Sequence, residues 1–193
     1  MDPFTTSMFP PFALGFFGLG TGYLIWGPQE LFGLPERNDA VDRATGVWGI
    51  WLPGLCQVVT GLILFVGLTW FQVFKSPDVY MAALAFSAYG IHWFALGWNR
   101  YRGNDPRPNG GMSVAFTILS VLGIIVFFHA NLWPVAVLFI GLTWVYVSEF
   151  VEAVGVPGAK RLLGAAHLCT GTWLMYLTFA TTLNLAAGYS LPA

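Results

Sequence analysis

The chain has 193 residues, 56% of them hydrophobic and only 9% charged, with a formal net charge of −1. An ordinary soluble domain carries about 25% charged residues, so a water-soluble globule is excluded. The lack of a basic excess likewise excludes a nucleic-acid partner.

A bilayer core of about 30 Å takes about 20 apolar residues in a helix. The sequence predicts six such runs in an all-α chain: 11–26, 46–71, 79–98, 112–130, 132–151 and 162–187. They leave one transmembrane domain over residues 1–193 and no soluble part. Asp2 and the lack of a basic N-terminal stretch do not suggest a cleaved signal peptide. In the first run Gly18 and Gly22 form a small-xxx-small pair, which lets two helix backbones approach closely. Pro28 to Arg43 reads as the first loop. In the second run Pro53-Gly54 predicts a kink, with Gln57 placed to hydrogen-bond the carbonyls it releases.

The fifth run ends in Glu149 and Glu152, one turn apart and near Lys160 and Arg161. This reads as an interfacial ion cluster, with a proton-carrying site as the alternative. The sixth run has a polar stripe of His167, Thr170, Thr178, Thr181 and Thr182 interrupted by Leu174, expected to face a bundle interior or a pore. Cys56 and Cys169 lie inside apolar runs and read as free buried thiols. There is no CxxC or HExxH spacing, and His92, His129 and His167 are scattered. No metal or cofactor is therefore expected. No nucleophile–base pair points to an enzyme.

Loop charge sets the expected orientation. Arg37 and Arg43, Arg100, Arg102 and Arg107, and Lys160 and Arg161 follow the first, third and fifth runs; only Lys75 lies on the opposite face. The positive-inside rule puts the basic loops in the cytoplasm and both termini outside, in what reads as a bacterial inner membrane. No fixed charge lies at the centre of a run. A pore here suits a neutral solute, or an anion crossing in protonated form or past hydroxyl donors such as Ser87 and Thr143. Gln57, Ser87, His92, Thr143, His167, Thr170 and Thr178 are the candidate pore-lining residues.

Several segments in order resemble the acetate uptake transporter family, the succinate–acetate permeases. They are Pro11-Phe12-Ala13-Leu14-Gly15 with Gly18 and Gly20; Gly49-Ile50-Trp51-Leu52-Pro53-Gly54 with Gln57 and Gly61; Phe86-Ser87-Ala88-Tyr89-Gly90-Ile91-His92-Trp93; Gly141-Leu142-Thr143; and Gly164, Gly171, Tyr176, Leu177, Leu183 and Asn184. The resemblance covers nearly the whole chain. It implies a six-helix protomer with its own pore, assembled as a homo-hexamer, that moves small monocarboxylates such as acetate with or without a coupled proton. It also implies an apolar constriction at Leu19, Tyr89 and Leu142, with Leu19 where the family has Phe.

The chain departs from the family pattern at several positions. Pro10 or a gap replaces the opening Asn, Ala13 the second Pro, Leu52-Pro53 a Tyr-Gly, Leu64 a Glu, and His92 a Phe. The charge-based orientation is inverted relative to the family. Trp133, Trp144 and Trp173, with His167 near a pore-glutamate position, are similar to urea and amide channels. A passive urea, amide or ammonia channel is therefore the alternative. A third reading is a non-transporting subunit of a larger membrane complex, since 9 Trp and 17 Phe suit lipid or partner contacts equally.

Overall fold

The computed structural model describes residues 11–193; Asp2 and Pro10, read above from sequence, lie outside them. Six long helices make up the described chain: α1 (Phe12–Phe32), α2 (Asp39–Thr69), α3 (Asp78–Arg102), α4 (Asn109–His129), α5 (Trp133–Ala153) and α6 (Ala159–Ala187). No strand occurs among the described residues.

The helix ends follow local chemistry. Asn38 caps α2 by accepting from the amides of Ala40 and Val41 at 3.0 Å each, and Asp39 and Asp42 place negative charge in the first turn. Gly33 ends α1 in a left-handed conformation, φ 73°, where a side chain would strain the turn. Pro28 does not end α1, which runs on to Phe32 and so carries Glu30 on the helix rather than in the predicted loop. Within α2, residues Ile50–Leu55 form a π-helical turn around Pro53, which takes up the bond the proline cannot make. Against that turn a Cβ on Gly22 would lie 2.7 Å from Pro53 Cγ, so α1 crosses α2 where only glycine fits.

α2 to α5 are long and apolar enough to cross a membrane by length and composition. α1 and α6, expected to meet the same standard, fall short of it because glycine and threonine dilute them. They pack against each other instead. A Cβ on Gly171 would sit 3.0 Å from Tyr23 Cβ, and one on Gly164 would collide with the Leu31 backbone nitrogen. Cys169, expected to be buried, is exposed on α6, and Cys56 is half-buried.

The helices alternate in direction. Phe16 and Phe86, early in α1 and α3, share one cavity with Leu174, midway along α6. Glu30 and Arg100, late in α1 and α3, share another with His167, early in α6. The basic loops therefore ring one end of the bundle, and the tail after α6 lies at the other. That tail folds back on its helix: Asn184 donates from Nδ2 to the Leu191 carbonyl and accepts from the Leu191 amide, both at 2.8 Å. α4 turns Val114, Ile118, Val121, Leu122, Ile125 and Phe128 outward, a surface suited to lipid or to another protomer.

Candidate functional site

Two cavities lie along the bundle axis and share no lining residue. The first, about 60 Å³, is walled by aromatic and aliphatic side chains including Phe12, Phe16, Phe86, Phe139 and Leu138. Gln57 lines it as well, fully buried, and neither of its amide atoms is hydrogen-bonded among the described residues. The sequence had placed that amide on the carbonyls released by Pro53; the π-helical turn reorganises those bonds, and the side chain lines the cavity instead.

The inner wall of this cavity includes Leu19, Tyr89 and Leu142, each no more than 2% exposed. The structure brings the three together from α1, α3 and α5. The Tyr89 hydroxyl lies 3.0 Å from Ser120 Oγ on α4, and Ser120 itself donates to the Phe116 carbonyl at 2.7 Å. Tyr89 therefore gives the ring its aromatic face and directs its polar atom toward α4.

One turn further along the same three helices come Tyr23, His92 and Tyr146, which line the second cavity. Each is buried; among the described residues neither His92 nitrogen has a hydrogen-bond partner, and the Tyr23 and Tyr146 hydroxyls approach each other without a well-formed hydrogen bond to any group. Aromatic contacts fix them: Tyr146 stacks on Tyr89 at 5.6 Å and 18°, and His92 meets Phe116 at 4.7 Å and the Tyr146 edge at 5.6 Å. An apolar ring thus passes directly into a ring of unsatisfied donors and acceptors. Buried polar groups rarely lack partners without a reason.

The second cavity is larger, about 310 Å³, and charged. Glu30, Glu149, Glu152 and His167 line its wall, with Arg37, Asp42, Arg100 and Lys160 toward the loops. His167 Nδ1 lies 2.6 Å from Glu30 Oε2, and both side chains are less than a tenth exposed. The Tyr23 ring stacks on the imidazole at 4.5 Å. Asp42 accepts from Arg37 at 2.8 Å and from Arg100 at 3.4 Å, and the Arg100 guanidinium lies over the Trp26 ring at 4.3 Å. Arg37, in the loop outside the helices, has its pKa raised by the Asp42 hydrogen bond.

Glu149 and Glu152 do not form the expected salt cluster with Lys160 and Arg161. Among the described residues neither makes an ion pair; α5 turns both into the cavity that Lys160 also lines, and Glu149 is buried there.

The remaining candidates lie off both cavities. Ser87 packs against Gly61 between α2 and α3, and Thr170 against Gly141 between α5 and α6. Thr143 and Thr178 each donate to the carbonyl four residues earlier, at 2.9 Å. Thr182 does the same at 2.7 Å. Of the stripe, Thr178 and Thr182 thus satisfy themselves on their own backbone, the buried Thr170 hydroxyl has no partner among the described residues, and His167 alone of its polar residues reaches the polar cavity. The sequence reading missed Glu30, hidden behind Pro28, and also Tyr23, Tyr146 and Ser120. Spacing offered a signal for the tyrosines, since each stands four residues after a leucine of the first cavity.

No family model and no curated protein matches the chain. Among solved structures, that of the bacterial acetate channel SatP superposes with a TM-score of 0.77 over 96% of this chain and 98% of that one, at 15% identity. The chain is an all-helical integral membrane protein that shares its fold, over nearly its whole length, with a channel.

Proposed function

We propose that this chain is a membrane channel or transporter for small monocarboxylates such as acetate, without enzymatic activity. The observation that carries the reading is the sequence of environments along the axis. An apolar cavity bearing one unpartnered amide, Gln57, leads to the ring of Leu19, Tyr89 and Leu142 and then to the unpartnered Tyr23, His92 and Tyr146. A primary amide offers one donor and one acceptor side by side. A carboxylic acid matches both while its alkyl group contacts the surrounding phenylalanines. A bare carboxylate would enter the apolar ring at a cost of several kcal/mol. The acid form crosses more cheaply and regains hydrogen bonds at the next turn. The shared fold with an acetate channel agrees with this reading.

The same Gln57 pairing suits an amide or urea, which makes a passive channel for neutral amides, urea or ammonia the second reading. In our reading the protomer is a single domain assembled as a homo-hexamer, with the apolar α4 face against lipid or a neighbouring copy. Its basic loops face the cytoplasm of a bacterial inner membrane, with both termini outside. Native mass spectrometry in mild detergent is expected to give the hexamer; a clean monomer counts against it.

Uptake of labelled acetate and labelled urea into liposomes holding the purified chain tests the function. Acetate uptake above the protein-free leak, rising as external pH falls toward about 5, is the expected result. Urea moving and acetate not moving favours the second reading. If neither moves at any pH, a non-transporting subunit of a larger complex becomes the better description.

A further inference from the structure

We infer that His167 and Glu30 form a proton-exchange site in the polar cavity, at which a carboxylic acid leaving the constriction gives up its proton and a carboxylate entering from the basic-loop side receives one. This deepens, and rests on, the monocarboxylate reading. With Glu30 as a carboxylate, which can only accept, the hydrogen of the 2.6 Å contact between Glu30 Oε2 and His167 Nδ1 sits on Nδ1. In that tautomer the ring has its lone pair on Nε2, for which no hydrogen bond occurs among the described residues. A carboxylate behind one imidazole nitrogen orients the ring and stabilises its cation, leaving the other nitrogen as the base.

The location is as informative as the pair. His167 stacks on Tyr23, one turn past Leu19, so a solute that clears the apolar ring meets this pair within one further turn of helix. In the step, the O–H bond of the acid breaks and an N–H bond forms on Nε2. The products are a carboxylate and an imidazolium held by Glu30. The imidazolium then releases its proton to water in the cavity, and the reverse sequence loads an anion for passage the other way.

Charges of both signs face the pair. His92 and Arg100 come from α3, Glu149 and Glu152 from α5, and Lys160 from α6. Arg37 in the first loop and Asp42 on α2 complete the set, with the Tyr23 ring stacked on the imidazole.

At neutral pH only a small fraction of a monocarboxylate is present as free acid. A fixed donor at the cavity floor removes the wait for that species. The test is labelled-acetate exchange across liposomes with equal pH on both sides, comparing the full-length wild type with His167→Gln and Glu30→Gln. The loss in each variant should be about tenfold larger at pH 7 than at pH 5, where free acid supplies the proton. A merely structural pair would lower exchange by one factor at both pH values, and that result overturns the proposal. Wild-type protein that moves no acetate overturns the transport reading and this inference together. A measurement independent of flux is the ¹⁵N ring signal of His167 in reconstituted protein. It should shift in Glu30→Gln relative to wild type at the same pH; an identical signal in the two proteins refutes the site.

Discussion

Replacing Leu142 with alanine tests the constriction most directly. Leu142 is 1% exposed and closes the ring with Leu19 and Tyr89. The substitution exchanges an isobutyl group for a methyl, and Tyr146, with its free hydroxyl, stands one turn away. A solute in the intact ring can make no hydrogen bond to Leu19 or Leu142, and the Tyr89 hydroxyl is engaged by Ser120. If the widened ring lets a crossing acid keep one hydrogen bond, to water or to Tyr146, the barrier falls by about 1 to 1.5 kcal/mol. That corresponds to a roughly five- to tenfold rise in acetate flux. Selectivity should loosen in parallel, because a wider ring accepts butyrate nearly as readily as acetate. The void also costs stability, about 2–5 kcal/mol by the standard of tightly packed soluble cores. Thermal unfolding in detergent must therefore accompany the flux assay. Folded variant protein with unchanged flux and an unchanged acetate-to-butyrate ratio would remove Leu142 from the permeation path.

Gly164→Leu should abolish folded protein on size exclusion, since even its Cβ collides with the α1 backbone at Leu31. Gly111→Ala, with nothing within 4 Å, should be tolerated. Asp42→Asn leaves the buried Arg100 guanidinium without its carboxylate and should lower the unfolding free energy by about 2–3 kcal/mol; a midpoint equal to wild type would show the pair to be dispensable. For orientation, a membrane-impermeant thiol reagent on intact cells should label Ser190→Cys and spare Asn104→Cys. The opposite pattern reverses the topology.

Hydropathy and turn chemistry revealed the six helices and their order, because the membrane solvent demands long apolar runs and loops collect the charges. Other features depended on tertiary packing and were illegible. Pro28 reads as a stop, but it sits inside α1, and the extra turn brings Glu30 to His167, 137 residues away in sequence. The threonines of α6 read as a pore stripe because a side chain that bonds its own helix looks, in sequence, like one that awaits a solute. Gln57 shows the converse error: its expected backbone partners were taken up by the π-helical turn, which no propensity rule indicated at Pro53. Leu19, Tyr89 and Leu142 came from resemblance alone, and the helix crossings bring them side by side.

The bond between Tyr89 and Ser120 has a consequence for the energetics of the whole cell membrane. Protons hop through water only along an unbroken relay of hydrogen-bonded oxygens. By engaging the one hydroxyl at the ring on α4, the protein interrupts any such relay between Gln57 on one side and Tyr23 on the other. A cleft of hydrocarbon and aromatic carbon does not hold the file of water that would bridge the gap. On the channel reading proposed above, the acid then passes without a standing path for bare protons.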